Sequence, residues 1–215
     1  MELKPTLKKI WHFLWEEDSI WSWLANIVIA FILIKFIVYP VLGAVLGTGF
    51  PVVAVVSGSM EHEGSFDDWW SSGAVCPHTC TQGEWYEKMD ISKEAFLTYD
   101  FKNGFNKGDI MVLKGVKPEN IKKGDVIVFS KQFNKEPIIH RVIEDKEDTF
   151  QTKGDHNKDV GRIDKGITED ELVGKAVFKI PFVFTFFCFC RRIVGKDHAQ
   201  TRTQHRFCSQ QMDQP

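Results

Sequence analysis

The sequence has little of what marks several common protein classes. It lacks a basic excess: 27 Lys and Arg stand against 29 Asp and Glu, for a net charge of −2. Nucleic-acid binders usually carry a clear positive surplus, so this balance argues against that class. It has five cysteines, an odd number without zinc-finger spacing, and no complete disulfide framework can be read from them. Cys76, His78 and Cys80 cluster, but a structural zinc site wants four ligands and only three are local. A local disulfide and free thiols remain the alternatives there. Long hydrophobic runs are also scarce. The stretch IPFVFTFFCFC at 180–190 has eleven residues, too few to span a bilayer as a helix. It reads as a buried strand or an interfacial segment, and the polar, aperiodic tail beyond it reads as disordered.

One run is long enough. From Trp21 to Gly47 the chain reads WSWLANIVIAFILIKFIVYPVLGAVLG, with Lys35 as its only charge. A bilayer core takes about 20 apolar residues in helix, and a buried core helix is rarely apolar on every face. Trp11, Trp15, Trp21 and Trp23 crowd the N-terminal side, where a half-wet indole suits a membrane interface. A cleaved signal peptide has a shorter core and a small-residue cleavage site, so the run reads as a retained anchor. Lys4, Lys8 and Lys9 precede it, and after Lys35 the next basic residue is Lys88. The positive-inside rule then puts residues 1–20 in the cytoplasm and the bulk of the chain outside. Lys35 snorkels to an interface, or else makes a polar contact with a partner helix or substrate.

After the anchor, strand signals recur. PVVAVV, GDIMVLKGV, GDVIVFSK, PIIHRVIE, DTFQTKGD and LVGKAVFKIPF are short β-forming runs punctuated by Gly, Asp and Pro. They predict a mainly β domain over 48–182, with an inserted aromatic-rich segment at 61–107 and a tail at 183–215. The insert is long for a loop, so it carries function or structure of its own. Its aromatics dip into the interface or form a satellite core, and ISKEAF predicts one short helix.

The motif VVSGSMEHEG at 55–64 raises the question of chemistry. A Ser-Gly-Ser alone is usually a turn, and a lone His in a strand is usually structural. A serine nucleophile, however, needs a base within hydrogen-bond reach and donors for the oxyanion. His140 in PIIHRV and His156 in GDHN are the histidines of the β-rich part, and Asp155, Asp159 and Asp164 are the acids that follow. A neutral imidazole takes a serine proton near pH 7, and a carboxylate orients it.

Taken in order, the anchor, SGSM, KGDIMVL, KKGDVIVF, IIHRVIE, FQTKGDHN and VGKAVFKIPF resemble a type I signal peptidase over roughly 30–60 and 104–182. With His140 before Arg141 the chain resembles the archaeal and endoplasmic-reticulum branch, which uses Ser with His rather than Lys. Its size and stand-alone organisation point to the archaeal side. The resemblance implies Ser59 as nucleophile, His140 as general base, and an oxyanion hole from the Ser59 N–H and the Ser57 hydroxyl. It makes Asp155 important, while the position of the orienting Asp, six residues later, holds Gly161. Asp159 is the expected replacement, with Asp164 next. It implies signal-peptide-bearing preproteins as substrates, entering as an added β-strand, a bilayer and the secretion translocon as partners, the cell membrane as location, and no metal or organic cofactor. The rivals are a dedicated peptidase for one precursor class, a membrane-tethered binding module, and a Lys131 or Lys135 base.

Overall fold

A computed structural model of the chain describes residues 3–77, 79–131, 136–146 and 149–181. Lys135 and the stretch 183–215 named above lie outside the described residues, as does His78. The chain divides into two units, Met1–Gly47 and Thr48 onward.

In the first unit, α1 (Leu3–Trp15) is followed by Ser19, whose side chain accepts the Ser22 N–H and caps α2 (Ile20–Leu33). A π-helical turn, Ile34–Val38, joins α2 to α3 (Tyr39–Leu46). Pro40 explains that turn. It offers no N–H to the carbonyl four residues back and its ring crowds that carbonyl, so the backbone widens locally. Gly47 ends the run in the left-handed conformation, φ 65°, where glycine has no Cβ to clash. Together Ile20–Leu46 makes 27 residues of apolar helix, about 40 Å at 1.5 Å per residue and long enough to cross a membrane. Lys35 Nζ lies 5.6 Å from the ring centres of both Phe31 and Phe36.

The second unit is mostly sheet. Six strands lie in the order β1-β4-β8-β5-β6-β7, all neighbours antiparallel. These are β1 (Val52–Ala54), β4 (Ile110–Lys114), β5 (Val126–Phe129), β6 (Ile138–Lys146), β7 (Thr149–Lys153) and β8 (Leu172–Ile180). Each of the six β-forming runs in the sequence supplies one strand. All four residues of β5 are buried, because the sheet is covered on both sides. Val126 and Val128 join Met60, Phe105, Met111 and Leu113 on one face; Ile127 and Phe129 join Ile121, Val142, Phe150 and Ile167 on the other. Each such side chain contributes about 1.5–3 kcal/mol on leaving water.

The inserted segment has its own architecture. It holds α4 (Phe66–Trp70), a hairpin of β2 (Gly73–Val75) and β3 (Thr79–Thr81), α5 (Gln82–Glu87) and α6 (Lys93–Leu97). Ser65 with Asp68, and Thr81 with Glu84, form reciprocal capping boxes, and Ser92 caps α6 through the Ala95 N–H. Of the two roles open to its aromatics, the structure has the satellite core: Trp69, Trp70, Trp85, Tyr86 and Phe96 are buried together with Ile143 of β6. Gly83 permits this, since a Cβ there would come within 2.2 Å of the Trp70 ring nitrogen. Cys76 and Cys80 form a disulfide across the hairpin end.

Candidate active site

β1 ends at Ala54, and the chain turns through Ser57-Gly58-Ser59, closed by a Glu61 N–H to Gly58 carbonyl bond of 3.1 Å. This turn faces His140 near the start of β6. Ser59 Oγ lies 3.0 Å from His140 Nε2, and Ser57 Oγ lies 3.2 Å from Ser59 Oγ. His140 Nδ1 is hydrogen-bonded to Asp164 Oδ1. Asp164 also accepts the Thr152 hydroxyl at 2.8 Å and the Gly161 N–H at 3.0 Å. A carboxylate can only accept, so Nδ1 carries the proton. Nε2 then presents its lone pair to the serine hydroxyl. His140 and Asp164 are both buried, which keeps this chain of bonds out of bulk water.

The structure has Asp164, not Asp159, on the imidazole. Asp159 is exposed; its Oδ1 accepts the Trp85 indole N–H at 3.1 Å and the Val160 N–H at 2.8 Å. The reason is local. A 3-10 turn over Arg162–Asp164 folds the chain back after Gly161, with the Asp164 N–H on the Gly161 carbonyl. That brings Asp164 beside Thr152 of β7 and behind His140, while Asp159 points toward the insert.

Asp155 has a different place. Its Oδ1 accepts Arg141 Nε at 3.0 Å and the Tyr86 hydroxyl at 2.9 Å; its Oδ2 accepts Arg141 Nη2 at 2.8 Å and His62 Nε2 at 3.0 Å. Burial alone would raise this carboxyl, but the Arg141 charge and the bonds from His62 and Arg141 outweigh it and hold it well below the usual range. With these four donors in place, Asp155 is a hub rather than a partner of His140. Arg141 uses its remaining donors on the carbonyls of Asp100, Gly124 and Phe101. The side chain of His156 is exposed, and its backbone N–H donates to the Ser59 carbonyl at 2.8 Å.

Three contributors were not singled out in the sequence. His62 stacks on Trp69 at 3.7 Å, and burial lowers its pKa. Tyr86 is buried, and its hydroxyl pKa is raised well above the usual value chiefly by desolvation. Lys153 is buried with Nζ near the Trp85 and Tyr86 rings, and desolvation brings it down to about 7. His62 and Lys153 lie within VVSGSMEHEG and FQTKGDHN, but nothing in those stretches sets them apart from their neighbours. Lys131, the rival base, is bonded to Glu171 at 2.6 Å and to the Gly166 carbonyl at 3.0 Å, away from Ser59.

A hydroxyl, an imidazole and a buried carboxylate hydrogen-bonded in this order have the geometry of a serine-hydrolase triad. No family model matches the chain. Over 97 residues it is 31% identical to the signal peptidase complex catalytic subunit SEC11C of Homo sapiens, Canis lupus familiaris and Mus musculus, an alignment that covers 40% of this chain and 50% of each relative. The chain thus spans about half the length of the curated relatives it matches, and over that stretch it is their homologue.

Proposed function

We propose that this chain is a membrane-bound serine endopeptidase that removes N-terminal signal peptides from exported preproteins. The observation that carries the reading is the hydrogen-bonded series Ser59–His140–Asp164 in a chain homologous to signal peptidase catalytic subunits. Ser59 attacks the scissile carbonyl as His140 Nε2 takes its proton. Asp164 holds the ring in the productive tautomer and stabilises the imidazolium that forms. The Ser59 N–H and the Ser57 hydroxyl donate to the oxyanion. His140 then passes the proton to the leaving amine, and water releases the acyl-enzyme through the same base.

Residues 1–20 are cytoplasmic, 21–47 are the anchor, and 48–182 form the extracytoplasmic domain, at the cell membrane and close to the secretion translocon. Two observations support this topology: the Lys residues that precede the apolar helix, and the Cys76–Cys80 disulfide, a bond typical of oxidising compartments. Ser59 stands about a dozen residues past the helix, a tether of at most roughly 40 Å. A signal peptide held in the bilayer presents its cleavage site within that range.

The test is cleavage of a precursor bearing an ordinary signal peptide by the full-length protein in lipid vesicles, wild type against Ser59→Ala. Cutting after the small-residue site by wild type alone supports the reading. Equal cutting by both removes Ser59 from its role. Failure of both favours a tethered binding module.

A further inference from the structure

The peptidase chemistry leaves the inserted segment unused, yet six hydrogen bonds from its α4, β2 and α5 converge on one stretch, 153–159. Tyr86 donates to the Asp155 carboxylate at 2.9 Å, and Trp69 Nε1 to the Asp155 carbonyl at 3.1 Å. Gln82 accepts from Lys153 Nζ at 2.8 Å and donates to the Asn157 carbonyl at 3.1 Å. Trp85 binds Asp159, and the Val75 N–H of the disulfide hairpin donates to the Lys158 carbonyl at 2.8 Å. These donors and acceptors come from α4, β2 and α5.

The same stretch also touches the reacting pair. The His156 N–H holds the Ser59 carbonyl at 2.8 Å, and the Asp155 N–H reaches Met60 Sδ at 3.4 Å. Gly154 is closer still: a Cβ there would stand 2.7 Å from the Ser59 carbonyl oxygen and 2.9 Å from His140 Nε2. Residues 154–156 are therefore clamped between the insert and the Ser59–His140 pair. Asp155 joins three stretches of chain: His62 just after the Ser59 turn, Arg141 beside His140 on β6, and Tyr86 of α5.

We propose that the insert is a positioning device for the Ser59–His140 pair, with Tyr86 and Gln82 as its positioning residues. The proposal rests on the peptidase reading above. Its physical basis is that leaving a buried polar group unpaired is costly, so the segment shifts to regain a partner: Asp155 when Tyr86 is lost, Lys153 and the Asn157 carbonyl when Gln82 is lost. The turn that follows the carboxylate carries the N–H that holds Ser59. Misplacement of reacting atoms by about 1 Å costs on the order of a hundredfold in rate, so a small shift of this turn is felt in kcat.

The experiment uses the full-length protein in vesicles with three variants. Tyr86→Phe removes one oxygen, Gln82→Leu removes both amide contacts, and Ser92→Ala removes the cap of α6 without touching 153–159. Cleavage kinetics are read beside hydrogen exchange of the 153–159 segment. The expected result is a kcat about tenfold lower with KM unchanged for Tyr86→Phe and Gln82→Leu, with faster exchange in 153–159. Ser92→Ala keeps its kcat and its exchange in that segment. A raised KM at constant kcat would overturn the proposal, because the insert would then be docking substrate. Equal losses in Ser92→Ala would overturn it too, reducing the effect to plain stability. If the wild type cleaves nothing, the peptidase reading fails by itself. The exchange arm still decides whether the insert holds the turn: unchanged exchange in Tyr86→Phe and Gln82→Leu sinks it.

Discussion

The sheet and the inserted segment achieve order by opposite routes. In the sheet, β5 is sandwiched between two apolar clusters and paired with β6, the next strand in the chain, and with β8, which is distant in sequence. In the insert, three helices of five or six residues begin at their own caps, and a hairpin is closed by a disulfide between residues four apart. Helices that short do not persist alone in water. They persist here because their aromatic side chains are buried against each other and against Ile143. One region thus carries Ser59, His140 and Asp164, and a locally built, separately breakable region leans on the turn that packs against them.

The largest expected effect separates the reacting groups from the insert's contacts. Asp164→Asn should lower the cleavage rate in vesicles by roughly 10²–10⁴-fold, because the amide no longer selects the imidazole tautomer or stabilises its cation. Asp159→Asn, which disturbs the contacts with Trp85 and the Val160 N–H, should stay within about tenfold of wild type. Reversal of that ranking would return the orienting role to Asp159.

Next comes stability. Phe96→Ala removes a fully buried ring from the insert's core and should cost about 3–5 kcal/mol. Hydrogen exchange should rise across 66–97 while β4, β5 and β8 stay protected; uniform loosening would make insert and sheet one cooperative unit.

The seam between the regions has its own signature. Lys153, with a folded pKa of about 7 against the usual 10.5, binds fewer protons folded than unfolded between those values. Stability should therefore rise with pH across that window, by about 2 kcal/mol between pH 7 and 9. The burial penalty is fully present below pH 7. Denaturant unfolding of Lys153→Met at the two pH values should show that slope flattened, and an unchanged slope would remove Lys153 as its source.

The smallest effect is the disulfide. For a ring this short the loop-entropy model gives about 2 kcal/mol. Cys76→Ser with Cys80→Ser should soften the hairpin more than the sheet, as measured by exchange in 73–81.

The strands and the long apolar helix were legible because hydrophobic run and turn punctuation are local signals, and the six strand segments and Ile20–Leu46 carry them plainly. The motifs and their order pointed to Ser59 and His140 as a pair, and the two are hydrogen-bonded. The partner of His140 was not legible, since Asp159 and Asp164 differ only by how the chain turns between them, and a 3-10 fold-back leaves no pattern in five residues. His62 and Tyr86 were hidden for a related reason: their partner Asp155 is distant in sequence, and burial around an ion pair is decided by tertiary packing. The aromatics of the insert showed themselves, but their composition suited a membrane interface as well as a core.

The spacing of the triad has a consequence for biogenesis. Ser59 and His140 are separated by 81 residues, and His140 and Asp164 by 24. A chain is made from its N-terminus at roughly 5–20 residues per second. The serine is thus exposed for several seconds before its imidazole has been synthesised, and longer before the carboxylate. During that interval it is an ordinary hydroxyl. On the proposed reading, the chain has no assembled triad while it is being made, and gains one only when nearly the whole sheet has been delivered.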